Sequence, residues 1–418
     1  MANQRRVCIV GAGAAGLFAQ ATRHSLNAGY KVKVFEQGRD VGGTWIYSSE
    51  LNVFSSLYEN MVSNLPKEIM PFEDLKFEKP ADKSFVGHQD VLAFLKEYGQ
   101  PVRRLIKFGT RVNKIRNVDS KWQVTVKSDD SQKEETLNFD ILFICNGHYS
   151  EPRVPECAKK LKIPWIHSHN YRHASDYKNK EVVIVGGNPS GFDIATQLSP
   201  YATKIHILHN QLFTFNLPDN IDYNFKLKDV DDDGQTLLLD NGEKLKAENV
   251  IFCSGYLHEI PFFEKSLIEP KADSSYLPVY QHFIHPDFPT SLFFIGLNWF
   301  VIPFTLFDLQ MHYALALING TAPVPSKEEM LQFEEDRLKS LNERNFPARY
   351  FHRLAENEQW EYFDLLAKRA NRPNVPLVIR KIYENNIKNM IEDTANYKNN
   401  RYTIKSPEDF EVEPYFEK

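Results

Sequence analysis

Two glycine-rich turns carry the pattern in this chain that could do chemistry. One is Gly11-Ala12-Gly13-Ala14-Ala15-Gly16; the other is Gly186-Gly187-Asn188-Pro189-Ser190-Gly191. Each follows an apolar run, residues 6–10 and 182–185, and opens a helix-like segment. Strand, glycine turn and helix in that order make a dinucleotide fingerprint. The glycines allow the tight turn and bring the backbone close to a pyrophosphate, which rests on the N–H groups of the helix start. Two fingerprints imply two dinucleotides, one tightly held flavin and one exchanging nicotinamide.

The residues after each unit's second strand refine this reading. Glu36 lies 20 positions beyond Gly16, where an acid hydrogen-bonds the ribose hydroxyls of an adenine dinucleotide. FAD and NAD would both satisfy it. In the second unit His209 and Asn210 stand where an acid would otherwise sit. An acid repels a 2′-phosphate, whereas neutral or basic donors accept one. The second site is therefore expected to take NADPH, with His209 at the phosphate and Lys204 or Gln211 as further contacts. Asn188 replaces the middle glycine of that fingerprint, and a looser backbone approach suits a cofactor that comes and goes.

The elements that must position these residues repeat one plan. Strand 7–10, the first turn and a helix over 14–28 lead into strand 31–35. Alternating runs at 110–115 and 121–126 form a meander, and a buried strand at 141–145 returns. The second copy opens at Glu181, with a helix at 190–198 and a strand at 204–208. Hairpin runs broken by Asp233-Gly234 and Asn241-Gly242 follow, and a return strand spans 250–253. The expected class is α/β, with two Rossmann-like, doubly wound dinucleotide-binding units, small β-meanders and a helical C-terminal region. Helical patterns cover 88–98, 328–344, 356–369 and 378–397, and the C-terminal helices are expected to pack on the first unit. With 418 residues, beyond the roughly 250–300 that one core serves, two domains are expected. These are an FAD domain of residues 1–170 with 282–418, and an inserted NADPH domain of 171–281. Residues 38–83 have poor periodicity and many turn residues, and so long an irregular stretch is often functional.

Composition narrows the class. A net charge of −5 makes no case for nucleic-acid binding. Cys8, Cys145, Cys157 and Cys253 form no C-x-x-C pair and read as reduced thiols in a reducing compartment. Strand 1 begins almost at Met1, and no apolar run approaches the ~18 residues of a membrane span. A cytoplasmic location without a stable membrane anchor follows, or secretion if a signal peptide was removed. The oligomeric state is left open, a homodimer among the options. Asp229 to Gly234 mimics the start of an EF-hand loop, but strand-like flanks and Asp240 in the twelfth position favour a solvated hairpin. No histidine spacing suggests a metal site.

Further motifs resemble the flavin-containing monooxygenases. They are Val41-Gly42-Gly43-Thr44-Trp45, Ser63-Asn64-Leu65-Pro66-Lys67-Glu68, Cys145-Asn146-Gly147-His148-Tyr149 and Phe293-Phe294-Ile295-Gly296 with Gln310 beyond. Residues 161–171 are similar to the family's Phe-x-Gly-x-x-x-His-x-x-x-Tyr stretch through His167 and Tyr171, with Leu161 and Ile163 replacing the Phe and Gly. Phe252-Cys253-Ser254-Gly255-Tyr256 resembles its Phe-Ala-Thr-Gly-Tyr element. The resemblance covers about residues 5–320, and the chain's length is most similar to the insect-type branch.

This resemblance implies FAD along Gly11, Gly13, Ala14, Ala15, Gly16, Glu36, Gly43, Thr44 and Trp45, with the Val112 backbone at its adenine end. Gly147, Gly255 and Gln310 would adjoin the cofactors. NADPH would cross Gly186, Asn188, Pro189, Ser190 and Gly191. Asn64 aligns with the family's active-site Asn, whose amide donates a hydrogen bond without an acidic proton. The implied activity is O2-dependent oxygenation of an amine or sulfide through a C4a-hydroperoxyflavin. The insect-type branch narrows this to N-oxygenation of tertiary-amine alkaloids such as pyrrolizidine alkaloids. A Baeyer–Villiger enzyme would carry Trp where Tyr171 stands. A disulfide reductase would need a cysteine pair near the flavin, and a non-catalytic redox sensor would not need Asn64.

Overall fold

The computed structural model describes residues 4–16, 29–209, 216–354 and 357–414. The expected helix over 14–28 lies almost wholly outside them, as do Asn210 and Gln211. In chain order the first half holds β1 (Arg6–Val10), β2 (Lys31–Phe35), α1 (His88–Gly99), β3 (Ile106–Lys107), β4 (Thr110–Val118), β5 (Lys121–Ser128), β6 (Glu134–Phe139) and β7 (Ile141–Ile144). Then come β8 (Trp165–His167), β9 (Glu181–Val185), α2 (Pro189–Leu198), β10 (Lys204–Leu208), β11 (Ile221–Asn224), β12 (Leu227–Val230), β13 (Thr236–Leu239), β14 (Lys244–Lys246) and β15 (Val250–Phe252). The C-terminal part holds β16 (Leu292–Phe294), α3 (Pro303–Asn319), α4 (Lys327–Glu343), α5 (Glu358–Arg369), α6 (Leu377–Glu392), β17 (Asn400–Ser406) and β18 (Asp409–Pro414).

Runs such as Val-Cys-Ile-Val and Val-Val-Ile-Val are apolar on both faces, which suits strands covered from both sides. They stand in the middle of two five-stranded sheets, ordered β16-β7-β1-β2-β3 and β11-β10-β9-β15-β8. Every pairing in both sheets is parallel. In each, the strand leading into a glycine turn has its next strand on one side and the return strand on the other. That reversal of strand order opens a crevice at the carboxyl ends of the strands.

Alternation along β1 divides the core. Val7 and Ile9 face Phe143, Phe293, Tyr313, Trp360, Phe363 and Ile382, so the C-terminal helices cover this face. Cys8 and Val10 face the meander through Trp122 and Val124, together with Phe263 and Leu277. The sequence 229–240 is indeed a strand–turn–strand segment, with Asp233 accepting from the Gln235 and Thr236 amides at 2.8 Å.

Three features depart from the sequence reading. The expected cut at 170/171 does not follow the sheets, although that at 281/282 falls between β15 and β16. Strand β8 belongs to the second sheet, and Ile260, Phe262, Phe263, Leu277 and Val279 pack with the first unit's meander. The last helix stops at Glu392 rather than at 397, so Tyr397 and Lys398 turn in toward the body of the protein. The polar tail pairs as β17 and β18, pinned by Tyr402, which is buried and whose N–H reaches Ser84 Oγ at 2.8 Å.

Candidate functional site

Both glycine turns are built the same way. Gly11 and Gly186 have φ of +100° and +115°, and a Cβ on either would sit 2.4 Å from the carbonyl oxygen of Cys145 or Cys253. A Cβ at Gly16 would stand 2.0 Å from Gly11 O, and one at Gly191 the same distance from Gly186 O. No side chain fits at these four positions without moving backbone. Each turn thus closes against the end of its own return strand.

Around the first turn, Gly43 packs so closely on Gly13 that a Cβ there would lie 2.7 Å from the Gly13 Cα. Gly43, Thr44 and Trp45 form a single 3-10 turn seated on it, with Thr44 O accepting from Ser55 Oγ at 3.1 Å. Ala14 and Ala15 follow, partly buried against the core. Glu36 is buried, and its two carboxylate oxygens accept the N–H groups of Ala12 and Gly38, each at 2.6 Å. Burial pushes its pKa up, and the two amides oppose that rise. The carboxylate therefore fixes the turn to the end of β2, and lone pairs remain on both oxygens for a hydroxyl. Val112 is buried on β4 opposite Val126. Gly147 and Gly255, just past the two return strands, have φ of +73° and +85° with open space where a side chain would go.

Gln310 sits differently from the expected cofactor contact. It is fully buried, its Oε1 accepts Gly296 N–H at 3.0 Å, and its Nε2 donates to Asn298 Oδ1 and Tyr362 Oη at 3.1 Å each. With these groups spent, it can act only through the Gly296 turn it holds.

A cavity of about 1060 Å³ lies against the second turn. Gly187, Asn188 and Pro189 line it, as do His209, Lys226, Arg349 and Asn64. Pro189 starts α2, where its missing N–H costs nothing. Ser190 and Gly191 complete that first turn. A Cβ on Gly187 would fall 2.5 Å from the His209 ring, so the imidazole lies directly over the turn. Burial, then the nearby Lys226 charge, lowers the His209 pKa and keeps the ring neutral. Lys226, two residues past β11, escaped the sequence reading. The signal was a basic residue at the end of the strand next to β10. Lys204, by contrast, begins β10 at the far end from His209 and is paired with Asp222 at 2.7 Å.

Asn64 comes from the irregular 38–83 stretch. Its backbone O accepts from Asn386 Nδ2 at 3.1 Å, and its Oδ1 from Tyr397 Oη at 3.4 Å. Asn64 and the second turn therefore share one cavity, whose lining includes Ile387, Met390 and Ile391 of α6. His167 and the cysteines stand apart from this arrangement. His167 Nδ1 accepts its neighbour His169 N–H at 3.1 Å, and burial pushes the thiols of Cys8, Cys145 and Cys253 far up. Among the described residues, no helix is long and apolar enough to cross a membrane.

Comparison with known proteins gives a consistent picture. The model of the "Flavin-binding monooxygenase-like" family matches residues 4–212 and 207–388. Flavin-containing monooxygenase FMO GS-OX5 of Arabidopsis thaliana is 31% identical over 399 residues, covering 89% of this chain and 86% of the relative. Among solved structures, S-allyl-L-cysteine S-oxygenase from Allium sativum superimposes with a TM-score of 0.86 at 30% identity, covering 95% of both chains. Tmm from Pelagibacter gives 0.83 at 27% identity, covering 98% of this chain and 96% of that one.

Proposed function

We propose that this chain, which belongs to the flavin-binding monooxygenase-like family, transfers one oxygen atom from O2 to a soft nucleophile, in the first instance a sulfide. Enzymes of this family depend on FAD and NADPH, and the glycine cradles leave room for backbone-bound pyrophosphates of that kind. When bound, FAD reduced by NADPH supplies the activation of O2. The balance is sulfide + O2 + NADPH + H⁺ giving sulfoxide + H2O + NADP⁺.

The observation that carries this reading is the shared cavity of Asn64 and the second glycine turn. On this reading the first turn, which lies outside that cavity's lining, holds FAD with Ala14, Ala15, Glu36, Gly43, Thr44 and Trp45, and the Val112 backbone borders its adenine end. Gly186, Asn188, Pro189, Ser190 and Gly191 hold NADPH. Gly147 and Gly255 let backbone approach where a side chain would intrude. His209 and Lys226 offer a neutral donor and a cation to a 2′-phosphate. Asn64 donates a hydrogen bond from an amide that has no acidic proton to give away. The apolar α6 face keeps water from that donor.

The sulfide is put first because a relative of 30% identity over nearly its whole length carries the name of an S-oxygenase. Tertiary amines, including the pyrrolizidine alkaloids of the insect-type branch, form the second arm of the same screen. The test is to mix the purified holoenzyme with NADPH without oxygen and then with aerated buffer and substrate. Flavin bleaching followed by sulfoxide or N-oxide, with one product per NADPH, supports the reading. Bleaching with only hydrogen peroxide would reduce it to an oxidase, and ketone-to-ester conversion would replace it with Baeyer–Villiger chemistry.

Lys226 gives a narrower expectation. It is exposed, so its contribution is discounted for screening. Lys226→Ala should raise the KM for NADPH roughly tenfold, about 1.4 kcal/mol, while leaving the KM for NADH within twofold. Steady-state kinetics with both nucleotides checks it. Equal losses with the two would place Lys226 away from the 2′-phosphate.

A further inference from the structure

The last long helix and the segment after it hold Asn64 and its loop at three points. Asn386, on α6 and 1% exposed, donates to the Asn64 backbone O at 3.1 Å. Tyr397 donates to Asn64 Oδ1 at 3.4 Å. Lys398 Nζ reaches Val62 O at 3.0 Å, two residues before Asn64, and pairs with Asp193 Oδ1 at 2.6 Å. That ion pair is largely out of solvent, its side chains 20% and 11% exposed. Asp193 lies on α2, the helix that the second glycine turn opens, and its other oxygen takes the Tyr58 hydroxyl. Gln197, one helical turn on, donates to Asn60 O at 3.2 Å. One short C-terminal segment thus ties the loop bearing Asn64 to the nicotinamide-side helix.

The chemistry of an amide makes this hold matter. A half-turn about the last side-chain bond exchanges an N–H2 donor for a carbonyl acceptor of almost the same shape. Only the donor edge can stabilise an electron-rich oxygen. At Asn64 the oxygen is engaged by Tyr397, whereas among the described residues Nδ2 has no hydrogen-bond partner. Tyr397 is buried, its ring set edge-on to Phe85 at 5.5 Å and 81°. Burial drives its pKa far up, so the hydroxyl stays protonated and can only be useful as a donor or an uncharged acceptor.

We infer that Tyr397 is a positioning residue for the reaction, fixing the Asn64 amide so that its N–H2 edge is the one offered to the cavity. The inference rests on the role of Asn64 proposed above. It concerns the fate of each NADPH consumed. In the coupled reaction one oxygen atom goes to the substrate and the other to water. In the uncoupled one, O2 + NADPH + H⁺ gives H2O2 + NADP⁺.

The experiment compares the parent holoenzyme with Tyr397→Phe, Asn64→Ala and the double variant. Phenylalanine keeps the ring and its contact with Phe85 and deletes only the hydroxyl. Expected for Tyr397→Phe is full FAD content, an anaerobic rate of flavin reduction by NADPH within twofold of the parent, and a threefold to tenfold rise in peroxide per NADPH. That factor is about what one neutral hydrogen bond carries. In the Asn64→Ala background, Tyr397→Phe should add nothing, because its only route to the reaction is gone. Normal coupling in Tyr397→Phe alongside peroxide release in Asn64→Ala overturns the positioning role and leaves Asn64 standing. Additive losses in the double variant overturn it as well. Normal coupling in Asn64→Ala removes the role of Asn64 itself, and with it the premise.

Discussion

Gly186→Ala should yield a yellow protein that NADPH can scarcely reduce. The substituted methyl would enter a backbone with φ of +115° and meet the carbonyl oxygen of Cys253 at 2.4 Å. Neither is easily relieved, since an alanine in that conformation is strained by about 1–3 kcal/mol and the clashing atom belongs to the return strand β15. The turn must open, and with it the proposed seat of the pyrophosphate on α2. The first unit keeps its own sheet and its own turn, so FAD should remain bound. The expected change is a fall of roughly 100-fold in the efficiency of anaerobic reduction by NADPH, equivalent to about 2.7 kcal/mol. Reduction by dithionite, which needs no nucleotide site, should be unaffected. The matching change in the first unit, Gly11→Ala, meets Cys145 O at the same 2.4 Å and should instead give colourless or poorly folded protein. A Gly186→Ala protein reduced by NADPH at the parent rate would remove the second turn from the nucleotide site.

That contrast is possible because the two turns could be recognised from the sequence. Each is a contiguous stretch in which the strand, the required glycines and the helix start lie within about fifteen residues, so short-range sterics dictate the structure. The two apolar central strands were legible for the same reason, as was Glu36 at the end of the next strand. What escaped was set by distant packing. Strand β8 has only three residues and takes its place through β15, 85 positions on at its first pair, Val250 with Trp165. The terminal hairpin hides its alternation of Tyr402, Ile404, Phe410 and Val412 among charges, and only Tyr402 is buried. Gln310 could be placed near the flavin side by its neighbours, but its commitment to Gly296, Asn298 and Tyr362 depends on α5 packing beside α3. The hold on Asn64 was the least legible of all, because its partner Tyr397 is 333 residues away. Without the family resemblance, Ser63-Asn64-Leu65-Pro66 reads as an ordinary loop.

Asn64→Ala is where the proposed chemistry is most exposed to test. Asn64 lines the cavity, its Oδ1 accepts from Tyr397, and its side chain carries no charge. Removing it should leave FAD binding, NADPH binding and hydride transfer largely intact, because none of the glycine turns, Glu36 or His209 contacts depends on it. What should change is the use made of oxygen. A preorganised donor aimed at a developing negative oxygen is worth about 10²–10³ in rate, and no other uncharged donor among the cavity residues is held in this loop. Product formation should therefore drop roughly 100-fold while NADPH consumption stays within a few-fold, the difference appearing as hydrogen peroxide. Asn64→Asp separates the donor from the shape. It keeps the size of the side chain but replaces the N–H2 edge with a carboxylate oxygen, so it should uncouple at least as strongly as alanine. If both variants turn over substrate with parental coupling, the cavity is a nucleotide site alone and the oxygen chemistry must be sited on the flavin side of the first turn.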